Sequence, residues 1–227
     1  MKNLIFIPAR SGSRRVKNKN LKILKNKPLI YYTLEIAKEI KKKIKSTDII
    51  VSSDSKKIIN YSNKILKTHN NYKRPKKLSS DKSSTVSALV HLLDYLKLKK
   101  KYPEIIITLQ PTSPIRNIQY IHRALNILKK NKNIQSLVSV SRPMEAIKDV
   151  IVKKKDYKFL SKSKISIKHY VINGNFYVNR TKNIINKKKF FDFSKQTQFY
   201  EIKKNYAIDI DEKLDFKLCE NFIWNLI

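Results

Sequence analysis

Residues Asn3–Leu21, "NLIFIPARSGSRRVKNKNL", run from an unbroken apolar stretch straight into a loop with five cationic side chains and one glycine. An apolar run this short, with no polar alternation, is the pattern of a strand covered on both faces, as in parallel sheets. The loop therefore follows the carboxyl end of a buried strand, where α/β sheets place their ligands. Composition disfavours glycine, with only two in the chain, so Gly12 and Gly174 are expected where no side chain fits. Between Ser11 and Ser13, Gly12 can let successive backbone N–H groups form a concave anion nest. Arg10, Arg14 and Lys19 would add charge-assisted hydrogen bonds. The loop is neither a Walker A sequence nor GxGxxG.

The pattern repeats outward from this strand. Pro28 stands where it can open a helix, with Ile30, Leu34, Ala37 and Ile40 as its apolar stripe. "DIIVSSD" (Asp48–Asp54) reads as a second buried strand, Ser55–Lys67 as a helix, and "RPKKLSSDKSS" (Arg74–Ser84) as a loop. Val86, Leu89, Val90, Leu93 and Leu96 mark the next helix, "EIIITLQ" (Glu104–Gln110) a third strand, and "PTSPIR" a turn. A helix through Ile118, Ile121, Leu125 and Leu128 precedes a fourth strand, "SLVSVS". Strands alternating with helices predict an α/β domain with a mostly parallel sheet. From about Ser141 the chain reads as an excursion from the sheet that includes a hairpin at "DVIVKKKDYKFL" and extends through "HYVINGNFYVN". "QFYEI" and "YAIDID" return to strand character before a closing helix.

The 227 residues, 41% hydrophobic, suit one globular domain over 1–227, since neither a repeat nor a dividing linker is visible. A lone cysteine, Cys219, excludes an internal disulfide framework, and no stretch approaches the roughly 20 apolar residues of a membrane span. A cytoplasmic location is the expectation. The net charge of +34 admits two readings: attraction of an anionic partner, or compositional drift on solvated faces. Runs such as "KEIKKKIK" and "KLKKK" fall at element ends and are not interleaved with aromatics, which favours drift over a nucleic-acid-binding protein.

The loop "IPARSGSRRVKNKNL", together with "RPKKLSSDKSST", "LQPTSPIR", "NGNFYVN" and "IDID" in that order, resembles the acylneuraminate cytidylyltransferases, the CMP-sialic acid synthetases. The resemblance covers nearly the whole chain. It implies a three-layer, Rossmann-like nucleotide-diphospho-sugar transferase fold and condensation of CTP with a nonulosonic acid, releasing pyrophosphate. It also implies Mg²⁺ and a homodimer, with about 142–170 as the dimerisation excursion. By the same resemblance, Arg10, Ser13 and Arg14 surround the triphosphate, Lys19 lies near the α-phosphate, and Asn20 helps bind the nucleoside. Arg74 and Ser84 lie around the cytosine, although Ser84 also suits the N-cap of the following helix. Gln110 falls on the sugar-acid side; Asn173 and Gly174, counted with the substrate-binding residues, match the "NG" before a family strand, where Gly174 also reads as a turn glycine, and Arg116 also reads as a structural residue of a proline-fixed turn. The family often carries an arginine where this chain has Val171, and Lys168 is the substitute expected to hold the substrate carboxylate.

Asp209 and Asp211 lie two residues apart, which on a strand puts both carboxylates on one face. Such a pair, with triphosphate oxygens and waters, is a usual way to hold Mg²⁺; the alternative is that one of them caps the terminal helix. Activation of an eight-carbon ulosonic acid is a second reading of the "IPAR" opening, although those enzymes generally lack the pair Lys19 and Asn20. No protein nucleophile is required by this chemistry.

Overall fold

A computed structural model of the chain describes residues 2–143 and 169–223. Lys168 and nearly all of the expected excursion, with its hairpin, lie outside these residues.

Strands β1 (Asn3–Pro8), β4 (Thr47–Ser52), β5 (Ile105–Thr108), β6 (Ser136–Ser141), β7 (Val171–Arg180) and β8 (Thr197–Glu201) form one sheet in the order β4-β1-β5-β7-β6-β8. A small antiparallel pair, β2 (Ile23–Leu24) with β3 (Lys27–Pro28), lies apart. β1 pairs in parallel with β4 and β5, and β6 with β8. The sheet is mostly parallel, as predicted. β7 is the exception: it lies antiparallel between β5 and β6. The stretch "VINGNFYVN" is thus an interior strand and not part of an excursion. Its run from Asn173 to Asn179 is buried, and its three asparagines find partners inside the protein, which is why polar residues did not mark an edge.

Alternation along β1 shows why the sheet needs cover on both sides. Ile5 and Ile7 enter one apolar cluster with Leu34 and Ile40 of α1 (Leu29–Lys43) and Leu125 of α4 (Ile118–Lys130). Ile58 of α2 (Lys56–Leu66) joins that cluster. Leu4 and Phe6 enter another with Leu89 and Leu92 of α3 (Thr85–Leu98) and Ile184 of α5 (Thr181–Lys187). Each of these side chains contributes about 1.5–3 kcal/mol on leaving water, so both faces of the strand are driven inward. Three layers result. Side chains start the helices as the sequence signals require: Ser55 Oγ accepts from Ile58 N at 3.4 Å, and Asn117 Oδ1 from Gln119 N at 2.9 Å.

A third cluster lies beside the sheet's carboxyl edge. Val16, Leu24, Ile115, Ile208 and Ile210 pack there against Phe216 and Cys219 of α6 (Lys213–Ile223). Val16 thereby pins the basic loop, and the two isoleucines pin "IDID". That segment is not a strand, contrary to the alternation; it is extended chain between the turn Lys204–Tyr206 and α6. A backbone bond from Ile210 N to Thr112 O, at 2.7 Å, ties it to the turn after β5. The alternation itself survives, because extended backbone points successive side chains opposite ways: Ile208 and Ile210 are buried, Asp209 and Asp211 exposed.

Candidate active site

A cleft of about 450 Å³ opens beyond the carboxyl ends of β1 and β5. Arg10, Ser13, Arg14, Lys19, Asn20, Arg74, Gln110, Asp209 and Asp211 all line it, joined by Arg15, Asp81, Ser83, Thr85 and Thr112. Nine residues expected around the substrates thus share one cavity. Ser84, Asn173 and Gly174 do not line it.

The loop after β1 is held from both ends. Ala9 N donates to Ser52 O at 2.9 Å, and Asn20 Nδ2 donates to Arg10 O at 2.8 Å, closing the loop on itself. Asn18 adopts a left-handed conformation (φ 54°), and a tight helical turn at Lys19–Leu21 follows. That turn aims Lys19 inward. Its side chain is 11% exposed, and Nζ donates to Ile210 O at 2.7 Å and to Asp211 Oδ1 at 3.1 Å. Two residues 192 apart in sequence therefore meet in the cleft.

The anion nest is only partly available. Ser11 donates its N–H to Asp54 Oδ1 at 2.8 Å and its hydroxyl to Asp54 Oδ2 at 2.6 Å. Burial pushes the Asp54 carboxyl up, but these hydrogen bonds and the charge of Arg74 outweigh it and hold it below the ordinary carboxylate range. Gly12 departs from expectation as well. Its φ is not in the left-handed region, and an added Cβ would meet no atom within 4 Å. Among the described residues nothing requires glycine at this position.

Gly174 behaves as expected, with φ +68° and an ideal Cβ only 2.6 Å from Gln110 Oε1. The bend sets β7 against the end of β5, where Ser113 Oγ donates to Asn173 O at 3.3 Å. Asn173 acts from behind the cleft, its Oδ1 accepting from Ser139 Oγ at 2.7 Å. These contacts separate the two glycines experimentally. Gly174→Ala is expected to cost about 1–3 kcal/mol in denaturant unfolding, from left-handed strain and the close approach, while Gly12→Ala stays within about 0.5 kcal/mol.

Arg116 is structural. Its guanidinium is buried and donates to Asn175 O at 2.8 Å, Thr33 Oγ1 at 3.0 Å and Gln110 O, locking the turn after β5. Burial pushes its pKa down to about 9, with Asp209 opposing. Arg74 also points its guanidinium at the protein, onto Leu78 O, and is ordered by Arg74 N donating to Ser53 O at 2.9 Å. Ser84 is the N-cap of α3, its Oγ accepting from Ser87 N at 3.0 Å, so Ser83 and Thr85 reach the cleft instead.

The carboxylates differ in setting. Asp209 opens into the cleft yet has protein on most sides. Burial raises its pKa and the Asp211 charge adds to this, against hydrogen bonds from Thr112 and Ser113 and the charge of Lys19. Asp211 contacts Arg15 at 3.1 Å as well as Lys19. Neither caps α6. Asp215 does, its Oδ2 accepting from Asp211 N at 2.7 Å and Glu212 N at 2.6 Å. Among the described residues no group of three or more His, Cys, Asp or Glu side chains is arranged to hold a metal ion. Of the cleft's carboxylates, Asp81 is taken up by two arginines, and Asp209 with Asp211 would suit Mg²⁺ if water and ligand oxygens completed its shell.

Sequence reasoning missed Asp81, Arg15 and Asp54. Asp81 forms ion pairs with Arg10 NH1 at 2.7 Å and with Arg14 Nε. Desolvation raises its carboxyl, and the hydrogen bonds and charges of both arginines together outweigh that and lower it. Its only signal was its place within "RPKKLSSDKSST". His91 meets Tyr72 OH at 3.0 Å, away from the cleft.

Comparison with known proteins agrees with this geometry. A family model described as cytidylyltransferase matches residues 4–222. N-acylneuraminate cytidylyltransferase of Escherichia coli O18:K1:H7 is 31% identical over 96% of this chain, which spans about half (51%) of that protein's length. CMP-N,N'-diacetyllegionaminic acid synthase of Legionella pneumophila is 29% identical over 98% of this chain and 97% of its own. Among solved structures, CMP:2-keto-3-deoxy-manno-octonic acid synthetase complexed with CTP superposes over the full length of both chains, with a TM-score of 0.70 at 15% identity. That likeness establishes the nucleotide-diphospho-sugar transferase fold. With a strand-end cleft that joins a basic loop to a carboxylate pair, and a family match over nearly its whole length, the chain belongs to the cytidylyltransferase family.

Proposed function

We infer that this protein transfers CMP from CTP to the anomeric hydroxyl of a nonulosonic acid, giving a CMP-sugar acid and pyrophosphate. The observation that carries the reading is the meeting of Lys19 with Asp211 across the cleft, which unites the basic loop and the carboxylate segment in one site. The names of the relatives supply the substrate class.

The reaction brings a tetraanionic triphosphate to a sugar that bears a carboxylate. Bond formation between the anomeric oxygen and the α-phosphorus, with loss of pyrophosphate, needs repulsion screened and leaving-group charge stabilised. In this reading the cleft-lining Arg10, Arg14 and Arg15 bind the β- and γ-phosphates, and buried Lys19 holds the α-phosphate. Arg74 with Ser83 and Thr85 flanks the cytosine side, Asn20 keeps the loop closed under the nucleoside, and Gln110 faces the sugar acid. Asp209 and Asp211 would hold Mg²⁺, which as a Lewis acid supplies charge stabilisation on the phosphate oxygens. Gly174 acts here through Gln110: a methyl group at 174 displaces the amide and raises KM for the sugar acid more than for CTP.

The test is pyrophosphate release from CTP and Mg²⁺ with neuraminate-, legionaminate- and pseudaminate-type acids and an eight-carbon ulosonic acid, with UTP and ATP as controls. CTP-dependent release with a nine-carbon acid is expected. Release with the eight-carbon acid alone would reassign the substrate, and none with any acid would end the reading. The same reading includes a homodimer, which sedimentation equilibrium would reveal as twice the chain mass. Among the described residues no helix is long and apolar enough to cross a membrane.

A further inference from the structure

The cleft is lined by five cations, Arg10, Arg14, Arg15, Lys19 and Arg74, all already turned toward acceptors of the protein itself. Arg15 and Lys19 face Asp211, and Arg74 faces a carbonyl. Arg10 and Arg14 share one carboxylate, Asp81, which comes from a different loop and, among the described residues, pairs with no other cation. Arg14 is the telling residue. Its side chain is 77% exposed, so packing does not hold it, and among the described residues the ion pair with Asp81 is what brings it over the cleft.

The turn that carries Asp81 does not depend on that pair for its shape. Ser83 N donates to Ser80 O at 3.1 Å, the Ser80 and Ser83 hydroxyls meet at 2.8 Å, and Ser83 Oγ donates to Lys77 O at 2.9 Å. The turn is thus braced from within while its aspartate reaches across to the basic loop.

We propose that Asp81 is an internal counter-ion for the polyphosphate site: it holds Arg10 and Arg14 over the empty cleft and is displaced when phosphate oxygens take them. A carboxylate and a phosphate present guanidinium groups with the same forked acceptor geometry, and the phosphate chain brings more charge. The exchange favours a polyanion over singly charged competitors. In a protein with a net charge of +34, which draws anions of every kind toward its surface, such a stopper keeps weak anions out of the site. Once freed, Asp81 lies beside like charge, so binding is weaker than the arginines alone would give. Asp81 therefore sets the affinity for polyphosphate and eases release of the pyrophosphate product.

The polyphosphate ligand rests on the proposed function, but the experiment does not need turnover. The full chain and its Asp81→Asn variant are titrated calorimetrically with inorganic pyrophosphate, without divalent metal and at one ionic strength. The variant is expected to bind about tenfold more tightly, the scale of losing two exposed competing ion pairs. The gain is expected to shrink when Arg14→Gln is added, because half of the contest is removed. In turnover, KM for CTP falls and pyrophosphate inhibits more strongly. Equal or weaker pyrophosphate binding by Asp81→Asn overturns the proposal, since it would make Asp81 a positioning residue for the arginines. Asp81→Ser, which suits the surrounding serine turn, repeats the comparison if the asparagine variant melts early. A chain that makes no CMP-sugar yet shows the tighter variant would end the functional reading and leave the counter-ion standing.

Discussion

Lys19→Ala is expected to lower kcat/KM for CMP-sugar formation by about 10³-fold, the scale of removing one preorganised charge donor from a transition state. The size follows from how the ammonium is held. Its stem is buried, and Ile210 O and Asp211 Oδ1 fix Nζ at 2.7 and 3.1 Å, so the charge is in place before substrate arrives. Charge developing on the α-phosphate and the bridging oxygen meets a donor that needs no reorganisation. Most of the loss should appear in kcat, because three arginines remain to bind the triphosphate. Lys19→Arg keeps the charge, but a longer, planar group does not fit a slot built for an ammonium, so only partial recovery is expected. Steady-state pyrophosphate release, resolved into kcat and KM, is the measurement. An alanine variant within threefold of the parent would remove Lys19 from the mechanism.

Asp209→Asn and Asp211→Asn form the second large prediction. Each is expected to cost about 10²–10³-fold in kcat/KM, with the Mg²⁺ requirement shifted to higher concentration, because each removes one carboxylate from the proposed two-carboxylate cation site. Calorimetry should show CTP binding that depends on Mg²⁺ in the parent and is nearly indifferent to it in the double variant. An unshifted Mg²⁺ dependence in both single variants would exclude the pair as the metal site.

Stability should move the other way at Asp209. Its carboxyl titrates above its ordinary value because burial, and then the Asp211 charge, disfavour the anion. A carboxyl whose folded pKa is raised helps the fold below its unfolded pKa, and that help is lost as pH rises through the folded value. In EDTA, Asp209→Asn should therefore melt higher than the parent at neutral pH and match it in acid. A variant that melts lower at neutral pH would contradict this assignment of charge strain.

Part of this was legible in the sequence. The strands read at "NLIFIPA", "DIIVSSD", "EIIITLQ" and "SLVSVS" are β1, β4, β5 and β6, and the helices fell where apolar residues recurred at helical spacing, because both periodicities are local consequences of backbone geometry. The polar residues trailing "NLIFIP", "DIIVSS" and "EIIIT" pointed to the ligand face for the same reason. Gly174 was readable because a left-handed residue is most easily a glycine, whereas Gly12 misled: among the described residues nothing crowds it. "YAIDID" alternated like a strand but, among the described residues, is tied to the turn after β5 through Ile210 N and Thr112 O without pairing as a strand, since alternation does not report pairing. Asp215, not Asp209 or Asp211, caps α6, a matter of which carboxylate the turn brings back to the free N–H groups.

By itself the sequence determined the α/β alternation, the strand-end position of the basic loop and the kinds of group available to an anionic substrate. Tertiary structure alone decided the insertion of β7 between β5 and β6, the contact of Lys19 with Asp211, and the reach of Asp81 to Arg10 and Arg14. The physical reason is range. Strand and helix patterns are written within a few residues, while a contact between residues 67 or 192 positions apart exists only after the whole chain has chosen its path.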